Sequence, residues 1–111
     1  MNYVVDIDGT ICTQSNPDYE NAEPFLERIR ILNDLYEKGN TIIYCTARGM
    51  GRTNNNQQEA IDLMYDFTKK QLDSWGVKYH MLFLGKPAGD IYIDDKGMRD
   101  INFFNQMESS L

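Results

Sequence analysis

The chain opens with a short apolar run that ends in two acidic residues. Tyr3 to Val5 is followed directly by the sequence Asp6-Ile7-Asp8-Gly9-Thr10. This pattern predicts a buried strand that delivers carboxylates to its carboxyl end, where the glycine allows the chain to turn. In open α/β sheets, ligands bind in the crevice beyond the carboxyl ends of the strands. The first ten residues therefore predict a binding site at one edge of a sheet.

Composition limits what else the chain can be. With 111 residues, of which 41% are hydrophobic, residues 1–111 are predicted to form a single domain with one core. The net charge of −6 disfavours nucleic acid as a partner. No apolar run approaches the roughly 20 residues that cross a bilayer, so we expect no membrane association and a cytoplasmic protein. Cys12 and Cys45 lack metal-like spacing, which predicts reduced thiols and no structural zinc.

Helical and strand patterns alternate along the rest of the chain. The spacing predicts a loop over 11–23, a helix from Pro24 that ends at Gly39, a strand over 41–45, a loop over 50–56, a helix over 57–75, strands over 77–84 and 91–93, and a helix over 99–107. This order predicts an α/β fold, with a single Rossmann-like parallel sheet and helices on both of its faces.

Four polar clusters follow the four predicted strands: Asp6 with Asp8, then Thr46, then Lys86, then Asp94 with Asp95. Because parallel strands end at the same edge, these side chains are expected to converge there. Clustered carboxylates repel one another unless a cation lies among them, and oxygen ligands favour Mg²⁺. A carboxylate beside Mg²⁺ and an ammonium group can attack phosphorus, while a second acid transfers protons to the leaving group and from water.

The four clusters, in this order, resemble the motifs of the haloacid dehalogenase (HAD) superfamily. The resemblance implies that Asp6 is a nucleophile that becomes an aspartyl-phosphate and that Asp8 is the general acid and base. Thr46 and Lys86 match the phosphoryl-binding hydroxyl and ammonium groups. It also implies a Mg²⁺ site formed by Asp6, the backbone carbonyl of Asp8, and Asp95 supported by Asp94. Flanking residues predicted to bind substrate are Gly9, Thr10, Ala47 and Arg48, although Arg48 is equally compatible with an exposed loop position.

The resemblance also indicates which class of reaction and which version of the fold to expect. Members that carry an acid at the position of Asp8 are phosphatases or phosphomutases, and the chain has no room for the cap domain that mutases need. It therefore implies a HAD-like core without a cap and a phosphate monoester hydrolase. The segments 44–50 and 92–96 are similar to those of small uncapped capsule or surface-polysaccharide biosynthesis phosphatases. This similarity implies a sugar or polyol phosphate as substrate. Uncapped members commonly form a homo-oligomer in which a partner subunit covers the open site, and the oligomeric state of this chain stays open.

Two other functional classes remain open. A receiver-like phosphoacceptor also uses carboxylates, a threonine and a lysine, but in a different order along the strands. A noncatalytic phosphate-binding protein would keep the same groups without turnover. His80 is predicted to be structural. Arg52 and Asn54–Asn56 lie in a predicted loop and are candidates for substrate contact. Asp100 is predicted to be either an additional acid of the site or a helix-face residue.

Overall fold

The computed structural model describes residues 1–109, which form a three-stranded sheet packed against three α-helices. The strands are β1 (Asn2–Val5), β2 (Thr41–Thr46) and β3 (Met81–Leu84), and the helices are α1 (Leu26–Glu37), α2 (Gln57–Ser74) and α3 (Asp100–Ser109). A short 3₁₀ turn at Tyr19–Asn21 interrupts the loop after β1. No helix within residues 1–109 has the length and apolar character needed to span a membrane.

The sheet is parallel, with the order β1-β2-β3. Val5 pairs with Tyr44 of the central strand, and Thr46 pairs with Leu84 of β3. The three carboxyl ends therefore lie at one edge, as the sequence predicts. Asp6, Thr46 and Lys86 all follow or end strands at this edge.

All three helices cover the same face of the sheet. When two successive right-handed crossover connections run in the same direction across a parallel sheet, their helices lie on the same face of the sheet. The alternation of burial agrees, because Ile42, Tyr44 and Leu82 are buried whereas residues of the opposite face are exposed, including Val4 (68%) and Phe83 (51%). The third helix contacts α1. The prediction of helices on both faces is therefore wrong for residues 1–109.

The predicted strand over 91–93 does not form. The connection over 85–99 contains no helix or strand, and Ile93 is 93% exposed. Local contacts hold it instead: the Tyr92 hydroxyl donates to the Pro87 carbonyl, and the carboxylate of Asp94 accepts from the backbone N–H groups of Lys96 and Gly97. A short apolar run has strand propensity, but it becomes a strand only where another strand pairs with it.

One predicted helix and one predicted strand begin later in the structure than the sequence predicts. Pro24 does not begin α1, because it forms an isolated bridge with Cys12 and the helix starts at Leu26. The third strand begins at Met81 rather than at Val77. The helix predicted over 57–75 agrees better, since α2 spans Gln57–Ser74 and buries Met64, Thr68 and Leu72.

An ion pair attaches α3 to α1 beside the turn after β1. Arg28 Nη1 lies 2.7 Å from Asp100 Oδ2 and also donates to the carbonyl of Thr10 at 3.0 Å. The guanidinium lies over the ring of Phe104, which is buried. Asp100 is therefore a helix-face residue that holds α3 in place.

We expect Asp100→Asn to destabilise the fold only when the carboxylate is ionised. Burial raises the pKa of Asp100, but the hydrogen bond and charge of Arg28 outweigh burial and leave the pKa below its ordinary value of 3.8. The stabilisation is therefore present above pH 4 and is lost as the pH falls through the folded pKa. Urea unfolding at pH 7 should show a loss of about 0.5–1 kcal/mol that disappears in strong acid.

Asp90→Asn is the matched control, because Asp90 is an exposed acid in the 85–99 connection. It should change the free energy of unfolding by less than about 0.5 kcal/mol at either pH. A loss for Asp100→Asn that persists at pH 2 would show that the ion pair is not its cause.

Candidate active site

A cavity of about 550 Å³ opens at the carboxyl edge of the sheet. Its lining includes Asp6, Asp8, Thr46 and Lys86, together with residues of the loops after β1 and β2. A larger and more open groove of about 770 Å³ lies beside β3, but none of these four residues lines it. The structure therefore brings together the predicted residues of the first three clusters.

Asp6 and Lys86 are adjacent in the cavity lining. Lys86 Nζ lies 3.8 Å from Asp6 Oδ1, and both side chains are partly exposed. Burial raises the pKa of Asp6, and the charge of Lys86 opposes this rise without cancelling it. The carboxylate is therefore poorly solvated for an anion and depends on cations around it.

The turn after β3 fixes the position of Lys86. Its backbone N–H donates to the carbonyl of Thr46, which extends the pairing of β2 and β3 by one residue. Gly85 has a φ of +96°, and a Cβ atom there would meet Gln57 at 3.2 Å. Glycine permits this left-handed turn and the close approach of α2.

Thr46, the last residue of β2, also lines the cavity. It is buried, and its Oγ1 accepts a hydrogen bond of 3.1 Å from the backbone N–H of Arg48. Since this contact uses the oxygen as an acceptor, the hydroxyl hydrogen can donate to a ligand oxygen in the cavity.

Asp8 forms a two-point ion pair with Arg48. Arg48 Nε donates to Asp8 Oδ2 and Nη2 donates to Asp8 Oδ1, each at 3.0 Å. The side chain of Arg48 is 0% exposed, whereas that of Asp8 is 14% exposed and lines the cavity. The alternative that Arg48 is an exposed loop residue is wrong, and its guanidinium points to Asp8 rather than to solvent.

Asp94 and Asp95 do not line the cavity that Asp6 and Asp8 line. Within residues 1–109, no three His, Cys, Asp or Glu side chains assemble into a group that could hold a metal ion. Both Asp94 and Asp95 are exposed in the connection whose predicted strand is not formed. The carbonyl of Asp8, an implied ligand, accepts a hydrogen bond from Gln14 at 3.3 Å. Of the residues assigned to the predicted Mg²⁺ site, Asp6 and Asp8 therefore line the cavity, whereas Asp94 and Asp95 do not.

The predicted substrate-binding residues Gly9, Thr10 and Ala47 differ in their availability. The backbone N–H of Gly9 donates to the Cys12 carbonyl and that of Thr10 to the Ile7 carbonyl, so both already have partners in the turn. Ala47 lines the cavity. Gly9 has a φ of +79°, and a Cβ atom there would lie 2.8 Å from Gln14.

Several residues at the site have no signal in the sequence. Gln71 of α2 accepts from Arg48 Nη1 at 2.7 Å and donates to the backbone carbonyl of Tyr19 at 2.7 Å. The guanidinium of Arg48 also lies 4.7 Å from the centroid of the Tyr19 ring. These contacts join residues far apart in the chain, and only the folded arrangement reveals them.

The remaining titratable candidates are structural. Burial raises the pKa of the Cys12 thiol to about 12, with Asp8 adding to the effect, so this thiol is protonated at neutral pH. His80 Nδ1 accepts from the backbone N–H of Ile42, and its ring stacks on Tyr36. Through these contacts His80 joins β2 to α1.

Comparison with known proteins supports the fold and leaves the function open. The chain matches no protein-family model and no curated protein. It is similar to the crystal structure of a target protein from Vibrio cholerae, with 28% sequence identity and a TM-score of 0.84. The match covers 97% of this chain and 94% of that chain, and no function is named for that protein.

Substitutions of the two neighbouring acids should have opposite effects on stability. The raised pKa of Asp6 means that its ionisation costs free energy in the fold above about pH 4. Asp6→Asn should therefore raise the free energy of unfolding at pH 7, by less than about 1 kcal/mol because the side chain is partly exposed. Asp8→Asn removes the carboxylate that pairs with the buried Arg48 and should lower the free energy of unfolding by about 3 kcal/mol.

Urea unfolding of the two variants at pH 7 and in acid measures both effects. At a pH below the ordinary value of 3.8, the difference between Asp6→Asn and the wild type should vanish, because both carry a neutral side chain there. Destabilisation by Asp6→Asn at pH 7 would show that the Lys86 contact outweighs burial.

Proposed function

We propose that this chain is a Mg²⁺-dependent phosphate monoester hydrolase of the HAD type, which acts through an aspartyl-phosphate on Asp6. The observation that carries the proposal is the position of Lys86 Nζ, 3.8 Å from Asp6 Oδ1 in a cavity that Asp8 and Thr46 also line. These are the groups that phosphoryl transfer to a carboxylate requires.

Each residue has a defined task in the proposed reaction. An oxygen of Asp6 attacks phosphorus as the bond to the leaving alcohol breaks. Lys86 reduces the repulsion between this carboxylate and the phosphoryl oxygens, and the Thr46 hydroxyl donates to one of them. Asp8 exchanges protons, first with the leaving group and then with the water that hydrolyses the aspartyl-phosphate.

Mg²⁺ belongs to the proposal although Asp94 and Asp95 do not line the cavity. When bound, the ion would neutralise charge on Asp6 and on the phosphoryl group. Asp6, the Asp8 carbonyl, and Asp95 with Asp94 are the residues that the resemblance assigns to it. Asp95 lies in residues 87–99, which are exposed and irregular, and a movement of this segment that brings Asp95 to the ion is compatible with that structure.

The cavity favours a small substrate. A volume of about 550 Å³ lies within the usual range for metabolite sites. Gln14, Asn16 and Arg52 also line the cavity and offer polar groups suited to hydroxyl-rich molecules. These features support a sugar or polyol phosphate as the substrate.

Phosphate release from an aryl phosphate and from a panel of sugar, polyol, nucleotide and acyl phosphates tests the proposal. Asp6→Asn should lower kcat at least about 100-fold because it removes the nucleophile. Asp90→Asn should retain wild-type turnover. Equal turnover by wild type and Asp6→Asn would rule out Asp6 as the nucleophile, and a stable phosphoprotein without turnover would favour a receiver-like phosphoacceptor.

Titration with MgCl₂ after chelation tests the metal requirement separately. Activity should be lost with chelator and restored by Mg²⁺, and Asp95→Asn should raise the half-saturating Mg²⁺ concentration about 10-fold or more. The control Asp90→Asn should leave it unchanged. Full activity in chelator would remove Mg²⁺ from the proposal.

A further inference from the structure

Arg48 is the most completely enclosed charged side chain near the cavity. Its guanidinium donates to both oxygens of Asp8, to Gln71 Oε1 at 2.7 Å and to Thr68 Oγ1 at 3.4 Å. The Tyr19 ring lies against it at 4.7 Å. With 0% of the side chain exposed, Arg48 cannot reach a ligand without leaving these partners.

We propose that Arg48 is a positioning residue for Asp8 rather than a substrate-binding residue. This inference rests on the proposed function, because it concerns the proton transfers assigned to Asp8. The two parallel N–H donors fix the plane of the carboxylate, which one donor could not do. Thr68 and Gln71 of α2 fix the guanidinium in turn, so the orientation of Asp8 derives from the helix layer.

The fixed orientation of Asp8 favours the second of the two proposed steps, which is hydrolysis of the aspartyl-phosphate. Both Asp8 oxygens accept from Arg48, and the exposed 14% of the side chain faces the cavity. In the second step, a water oxygen attacks phosphorus and its proton passes to Asp8. The bond from phosphorus to Asp6 breaks, its electron pair returns to the Asp6 carboxylate, and inorganic phosphate is formed. A carboxylate held as an acceptor in a fixed orientation suits this transfer.

The first step depends less on Asp8 when the leaving group is stable as an anion. With 4-nitrophenyl phosphate, Asp6 attacks phosphorus and nitrophenolate departs with the bonding electrons without needing a proton. Loss of the Arg48 restraint should therefore slow hydrolysis of the aspartyl-phosphate more than its formation. A merely structural role would slow both steps together.

Rapid-quench kinetics with 4-nitrophenyl phosphate in MgCl₂ tests the proposal, with phosphoprotein followed by intact mass. In Arg48→Met, the rate constant for phosphoprotein hydrolysis should fall at least about 10-fold, while that for its formation falls less than about 3-fold. Arg48→Lys retains the charge but not the two-point contact, so it should show the same imbalance. Asp8→Asn should show it as well.

Two control variants separate positioning from folding. Leu72→Ala removes a buried core side chain of α2 and should lower stability without altering the ratio of the two rate constants. Arg30→Met removes an exposed arginine of α1 and should leave both constants at their wild-type values. Thermal unfolding of Asp8→Asn, Arg48→Met and the double variant should show that the two losses are not additive.

The outcomes distinguish this inference from the proposed function. An equal fall of both rate constants in Arg48→Met, wild-type behaviour of Arg48→Lys, or additive thermal losses would overturn the positioning role while leaving the phosphatase in place. Turnover by Asp6→Asn equal to that of the wild type, or no turnover by the wild type, would overturn the proposed function and this inference with it.

Discussion

The ion pair between Asp8 and Arg48 is the interaction on which the site depends. It joins the turn after β1 to the turn after β2, and through Thr68 and Gln71 it extends to α2. A guanidinium removed from water must keep all its donors satisfied, since an unpaired buried charge is strongly destabilising. The same network that stabilises Arg48 therefore fixes the cavity side chain of Asp8.

Within the described part of the chain, Asp6, two residues before Asp8, has no such set of hydrogen-bonding partners around its carboxylate. Asp6 lies beyond the end of β1 with one amine near it, and burial leaves its pKa above the ordinary value. A poorly solvated carboxylate is stabilised by additional positive charge nearby or by partial loss of its own negative charge. Attack on phosphorus would transfer negative charge away from the carboxylate. The contrast between a satisfied acid and an unsatisfied one, two residues apart, is typical of sites that divide two roles between carboxylates.

The sequence predicts the elements better than their arrangement. The apolar periods locate β1, β2 and the buried side of α2, and parallel strand ends are enough to bring Asp6 near Lys86. The one-sided helix layer depends on the order of the strands in the sheet, which periodicity does not reveal. The run at 91–93 has the composition of a strand, but pairing decides whether it forms one. Arg48 and Asp8 are 40 residues apart, and no local pattern marks them as partners.

Within residues 1–109, no helix covers the face of the sheet that contains Val4 and Phe83, and this has a thermodynamic consequence. Because the sheet is dehydrated on one side only, unfolding this chain exposes less new apolar surface per residue than unfolding a domain with helices on both faces. The heat-capacity increment of unfolding should be correspondingly small, since it scales with apolar surface exposed. The stability curve of such a two-layer domain is flatter, so its free energy of unfolding varies little over a wide span of temperature.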